Sequence, residues 1–111
     1  MKNNDTITLF LCGDVMVGRG IDQVLPHPNE PELHELYVHD ARRYVELAGL
    51  ATGPLIKPVD PDYIWGDALD VLATIGPDLR IINLETSITT SDEYWPKGIN
   101  YRTIYAGSMR Y

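Results

Sequence analysis

Two acidic residues, each placed at the end of an apolar run, are the feature of this sequence most able to support chemistry. Asp14 follows the run at 6–12, and Glu85 comes directly after the run at 79–84. Ligands bind outside the carboxyl ends of parallel strands in open α/β sheets. If the two runs are neighbouring strands, about 4.8 Å apart, the two carboxylates converge at that edge.

Such a pair of carboxylates predicts a divalent metal site. Two carboxylates that lie close together repel one another unless a cation lies between them or one takes a proton. Oxygen-rich sites favour hard ions such as Mg²⁺ or Mn²⁺. Asn83 adds an amide oxygen if side-chain alternation persists to the strand end. A structural role stays open, because an Asp after Gly often forms a turn and Glu85 also suits a solvated surface charge.

Three cations are candidate anion-binding residues in a chain that is otherwise acidic. The chain has 9 Lys and Arg against 16 Asp and Glu, which gives a formal net charge of −7. Arg19, Lys97 and Arg102 stand in segments that look like loops or loop ends, where a cation can hold a phosphate or a carboxylate. The alternative is that each is a solvent-facing charge.

The elements that must position these residues form a β-α-β unit. The runs at about 6–12 and 79–84 are nearly continuous and apolar, which is typical of parallel strands covered on both faces. Apolar residues at helical spacing predict helices at about 32–48 and 61–75, the second capped by Asp60. The fold class is therefore α/β, with two parallel strands joined by a long crossover.

Composition restricts the classes of protein that fit. The chain has 111 residues, 44% of them hydrophobic and 23% charged, as in a single globular domain. Its acidity argues against nucleic acid or anionic membrane as a partner. No run approaches the roughly 20 apolar residues of a membrane span, and no signal peptide is evident, so a cytoplasmic location is expected. The partner expected from the three cations is an anionic small molecule.

Four separated blocks resemble the CapA family of poly-γ-glutamate capsule synthesis proteins, whose fold is similar to metallophosphatases. The blocks are GDVMVGRG at 13–20, YIWGDAL at 63–69, INLETS at 82–87 and KGINYR at 97–102. They occur in the family's order and span residues 9 to 102, which makes the resemblance specific. It implies a four-layer α/β/β/α metallophosphatase-like fold, present here in part.

The resemblance also implies a role in capsule or poly-γ-glutamate biosynthesis, with a metal-dependent, phosphatase-like site. It also implies that Asp14 and Glu85 stand in the metal-bearing positions of the family, and it adds polyglutamate as an expected partner of the three cations. Phosphatase relatives have a His two residues after the first Asp, whereas this chain has Met16, which cannot replace it as a ligand.

The later Asn-Asn-His block and other His motifs of the family have no counterpart here, so the site is expected to be incomplete as an enzyme. Residues 1–102 are predicted to form the N-terminal part of the family domain, and residues 103–111 a divergent tail. Two alternatives stay open: a non-catalytic anion- or nucleotide-binding module that uses the glycine-rich loop at 13–20, and a gene fragment without function.

Overall fold

The computed structural model describes residues 5–104, which form a mixed α/β unit with two small parallel sheets. The first sheet pairs β1 with β2, and the second pairs β3 with β4. In chain order the elements are β1 (Leu9–Val15), a 3₁₀ helix (Asp22–Val24), α1 (Arg42–Thr52), a second 3₁₀ helix (Pro61–Trp65), α2 (Ala68–Ile75), β2 (Leu79–Leu84), β3 (Ser87–Ile88) and β4 (Arg102–Thr103).

The predicted parallel pair of strands is confirmed. Leu9 lies opposite Leu79, and the register continues to Val15 opposite Leu84. Both helices lie in the connection between these two strands, as a β-α-β unit requires. The short second sheet is also parallel and joins the segment after β2 to residues 102–103.

A bulge at Gly13 resets the alternation of side chains in β1. Cys12 pairs with Ile82, but the next pair in the ladder is Asp14 with Asn83, so Gly13 has no partner of its own. After the bulge, Asp14 joins the exposed face that carries Leu11, while Val15 turns to the more covered face. β1 therefore runs past Cys12, where the sequence predicted its end, and the acidic residue stands inside the strand.

The predicted helix at 32–48 is wrong at its start. Residues 31–41 form a hairpin-like loop, in which Leu33 N donates to His39 O at 2.9 Å and Ala41 N donates to Pro31 O at 2.7 Å. These bonds occupy backbone groups that a helix would need. Helix α1 begins at Arg42, whose N–H donates to the Asp40 carboxylate at 2.9 Å, and it continues to Thr52.

The predicted helix at 61–75 is divided in two. Its start is as predicted, since the Asp60 side chain accepts the N–H of Asp62 at 2.9 Å and Pro61 takes the first helical position. Gly66 then adopts a φ of 50°, a conformation that glycine reaches without steric cost, and the 3₁₀ helix ends there. Helix α2 follows and ends at Gly76.

The two faces of the first sheet differ in how far they are covered. A small core of Val24, Leu25 and Val59 packs beside α1 and the 3₁₀ helices. The face of the sheet that carries Leu9, Leu11, Leu79 and Ile81 is uncovered within residues 5–104, with Leu11 67% exposed. The expectation that both faces are covered is therefore wrong for the described chain, and the four-layer arrangement implied by the resemblance is present only in part.

In the described part of the chain, no helix combines the length and the apolar character needed to cross a membrane.

Candidate functional site

Asp14, Asn83 and Glu85 meet at the carboxyl end of the β1–β2 sheet. The amide nitrogen of Asn83 donates to Asp14 Oδ1 and to Glu85 Oε1, each at 2.7 Å. One amide group therefore holds a carboxylate on each side. All three residues are exposed, so a solute can reach the group from solvent.

Strand geometry explains this convergence. The register places Asp14 opposite Asn83, and the bulge at Gly13 turns both side chains to the same face. Glu85 is two residues after Asn83 and so returns to that face. The ladder also extends one step further, because Glu85 N donates to Val15 O at 3.1 Å.

The donor set suits a hard cation but does not complete its shell. Two carboxylates and one amide oxygen are the ligand types that Mg²⁺ and Mn²⁺ prefer. Within residues 5–104, no three His, Cys, Asp or Glu side chains come together as a metal-binding group. The described chain thus offers three oxygen-bearing side chains, and water or other ligands would have to supply the remaining positions. The metal role of Asp14, Asn83 and Glu85 stays a prediction.

Arg19 forms a largely buried ion pair with Glu35 and packs against two aromatic rings. Its Nη2 contacts the Glu35 carboxylate and lies 2.7 Å from the Tyr44 hydroxyl. The guanidinium also lies over the rings of Tyr44 and Tyr101, at 4.8 and 5.5 Å from the ring centres. Burial disfavours its charge, but the hydrogen bond to Tyr37 and the charge of Glu35 outweigh burial and raise the pKa of Arg19.

Arg102 is also paired. Its Nη1 donates to Asp92 Oδ1 at 2.7 Å and to the Ser91 carbonyl at 2.9 Å, and His34 Nε2 lies 3.2 Å from the same Asp92 oxygen. The His34 hydrogen bond and then that of Arg102 lower the pKa of Asp92.

The three predicted anion-binding residues are only partly brought together. Arg19 and Arg102 line one cavity, while Lys97 lies in the exposed loop before β4 and does not line it. Their role in binding an anion stays a prediction.

Sequence reasoning missed a buried polar cluster around Asp22. This residue is 1% exposed. Its Oδ1 accepts from the Thr103 hydroxyl at 2.7 Å, and its Oδ2 accepts from Asn29 N, also at 2.7 Å. The one available signal was an acid inside the short apolar run at 21–25, and nothing in the sequence indicated a partner 81 positions away.

Close packing accounts for two glycines of the loop after β1. A Cβ at Gly18 would lie 3.0 Å from the Arg102 carbonyl oxygen, and one at Gly20 would lie 2.7 Å from Tyr44 Cβ. These glycines are therefore needed for the approach of β4 and α1, whether or not the loop also binds an anion. The anion- or nucleotide-binding alternative relied on the glycines of this loop, and packing now gives a second reason for two of them.

Comparison with known proteins identifies the family. Residues 8–106 match the family described as bacterial capsule synthesis protein PGA_cap, so the match extends past the predicted boundary at residue 102. Two Mycobacterium tuberculosis proteins, from strains CDC 1551 / Oshkosh and ATCC 25618 / H37Rv, are each 50% identical over 92 residues. Both are called probable polyglutamine synthesis accessory protein.

The matched segment covers 83% of this chain but only 24% of each mycobacterial relative. No solved structure matches the chain. The predicted resemblance is confirmed, since a family match over nearly the whole length is accompanied by relatives that are half identical in sequence. The chain belongs to the PGA_cap family of bacterial capsule synthesis proteins.

Proposed function

We propose that this chain supplies part of a divalent-metal site to a protein of capsule or polyglutamate synthesis. The observation that carries the proposal is the Asn83 amide held between the carboxylates of Asp14 and Glu85, 2.7 Å from each. The biosynthetic role is taken from the family and from the names of the mycobacterial relatives.

Electrostatics supports a cation at this position. The Asn83 amide offers only partial positive charge to two carboxylates, so a divalent ion would offset their repulsion more completely. The net charge of −7 further raises the local concentration of cations. The group is exposed, and an ion can therefore enter without displacing packed side chains.

The three residues have distinct tasks in this proposal. Asp14 and Glu85 would hold the ion through carboxylate oxygens, and Asn83 would turn its amide to offer Oδ1 in place of the N–H groups it now presents. When bound, such an ion polarises a phosphoryl or carbonyl oxygen or activates water. The sheet fixes the three side chains on one face, so ordering them costs little conformational entropy.

The chain spans about a quarter of the length of its curated relatives. The reaction of the whole protein and its action on a glutamate polymer are therefore part of this proposal. An anionic polymer would be attracted to a bound cation at the Asp14 edge, where the carboxylates alone would repel it.

Manganese titration of the purified chain tests the site. We expect one Mn²⁺ per chain, followed by calorimetry or by water-proton relaxation, with a dissociation constant of about 10⁻⁴ to 10⁻³ M because few protein ligands are present. Asp14→Asn and Glu85→Gln should each weaken binding at least about tenfold, the loss found even for outer-shell partners. Asn83→Asp should tighten it, because it replaces the bridging N–H groups by a third carboxylate.

Asp70→Asn is the matched control, because it removes one exposed negative charge on α2, outside the sheet edge. Its affinity should equal that of the unaltered chain at moderate salt. Equal Mn²⁺ affinity in the Asp14 and Glu85 variants, or no binding at several millimolar, would exclude the proposed site.

A further inference from the structure

We propose that a cavity beside the loop at 91–102 binds a small, uncharged sugar. The cavity, here called the Trp95 cavity, has a volume of about 230 Å³ and lies between that loop and residues 19–34. None of the three residues of the proposed metal site lines it. This site is therefore separate from the metal proposal, and its existence does not depend on that proposal.

Two residues that line the Trp95 cavity each carry a buried hydrogen-bond donor without an acceptor among the described residues. Asn29 is 7% exposed, and its Nδ2 has no partner among the described residues. The same holds for Nε of Arg19, whose Nη2 is occupied by Glu35 and Tyr44. Buried donors without acceptors are costly. A ligand oxygen that reaches either donor, after its side chain turns toward the cavity, therefore gains affinity.

The charges of the wall disfavour an anion. Glu30, Glu32 and Glu93 contribute carboxylates to the lining. The two arginines in the lining are each paired with a carboxylate already, Arg19 with Glu35 and Arg102 with Asp92. An anionic ligand would therefore meet excess negative charge.

Hydroxyl groups satisfy both kinds of wall atom. A hydroxyl accepts from a donor such as Asn29 Nδ2 and also donates to a carboxylate such as that of Glu93. A ligand that carries several hydroxyls on a rigid frame can make both contacts without bringing charge into the cavity. Sugars have this chemistry, whereas amino acids and phosphates do not.

Aromatic surface completes the site. Trp95 lines the cavity and is 76% exposed, so the face of its ring is open to a ligand. Tyr94 is held in place by stacking on His34, with ring centres 3.9 Å apart. Rings of this kind offer an apolar face beside a polar edge, which suits the C–H face of a pyranose. The volume is below the roughly 300–1,000 Å³ of drug-sized sites and favours a single ring over a polymer.

The test uses the ¹⁵N-labelled 111-residue chain and neutral monosaccharides: glucose, galactose and N-acetylglucosamine. Binding of at least one is expected at about 1 mM, since roughly a dozen heavy atoms at typical ligand efficiency give that affinity. The side-chain amide of Asn29 and the indole N–H of Trp95 should shift on titration. Trp95→Ala and Asn29→Ala should each weaken binding at least about fivefold. Tyr63→Ala, an exposed aromatic residue outside the cavity, is the control and should bind normally.

Several results would overturn the proposal. No shift with any neutral sugar at 50 mM would do so, as would shifts of unchanged size in both cavity variants. Tighter binding of glutamate, glucuronate or methylamine than of every neutral sugar would show that charge, and not hydroxyl pairing, selects the ligand. The Trp95 variant alters an exposed side chain, so its spectrum will also confirm that a loss of binding is not a loss of fold.

Discussion

Replacing Thr103 by Val should destabilise the fold more than its conservative size suggests. Thr103 is 0% exposed, and its hydroxyl donates to Asp22 Oδ1 at 2.7 Å. Valine fills the same volume but leaves that carboxylate oxygen without its donor, and water cannot reach the position. Hydrogen bonds to charged groups contribute about 1.5–3 kcal/mol, so we expect a loss of about 2 kcal/mol in the free energy of unfolding. For a domain of this size that corresponds to a fall in Tm of about 8–16 °C.

Urea unfolding followed by circular dichroism measures this loss directly. Thr74→Val is the matched control, because the Thr74 hydroxyl bonds to a carbonyl of its own helix on an exposed surface, and it should cost about 0.5 kcal/mol or less. A chain that ends at residue 102 should lose at least as much stability as the Thr103 variant. A cost below 0.5 kcal/mol for Thr103→Val would refute the reasoning and would support the predicted boundary between residues 102 and 103.

Three further predictions concern packing, pH and solubility. Gly20→Ala should cost about 1–3 kcal/mol in urea unfolding, because its Cβ would lie 2.7 Å from Tyr44 Cβ, whereas Gly13→Ala meets no atom within 4 Å and should cost far less. The hydrogen bonds of Asp92 lower its pKa in the folded state, so its contribution to stability is complete above about pH 4 and is lost as the pH falls through the folded pKa. Asp92→Asn should therefore make the free energy of unfolding, measured with urea at several acidic pH values, less sensitive to pH. An unchanged loss of stability at low pH would contradict this. Leu11→Lys should reduce dye binding to exposed apolar surface and slow aggregation in light scattering, because Leu11 is 67% exposed on the uncovered sheet face.

The parallel sheet was predictable because its signal is local to each strand. Two apolar, β-branched runs of strand length, separated by helical segments, leave few alternatives to a β-α-β unit. The meeting of Asp14 and Glu85 at one edge then followed from topology. The bulge at Gly13 was not predictable, since a glycine beside an acidic residue suits a turn equally well.

The start of α1 was mispredicted because periodicity does not report burial. Leu36 and Tyr37 fit a helical stripe with residues further along the chain, but in the structure Leu36 is 98% exposed and Tyr37 is also exposed. Backbone bonds across the 31–41 loop, such as Leu33 N to His39 O, decided the conformation instead. An apolar pattern predicts a helix only when its residues have something to pack against.

The polar contacts of the site region depend on distant partners that no local pattern reveals. The partner of Arg19 is Glu35, which lies 16 positions away in a segment predicted to be helical. Asp22 and Thr103 are joined across almost the full length of the described chain. Sequence alone could place these residues in loops and near strand ends, but the pairing of their charges requires the folded geometry.

The bulge at Gly13 determines which face of the sheet the Asp14 side chain joins. If Gly13 itself paired with Asn83 in a regular strand, Asp14 would turn inward. Deleting Gly13 would instead leave the acid directly after Cys12, on the exposed face and still opposite Asn83. A single-codon deletion of Gly13 should therefore preserve the contact between Asp14 and Asn83, although β1 would lose its bulge. Within this family, an alignment that shifts a gap by one position at Gly13 would assign the wrong residue to the sheet edge.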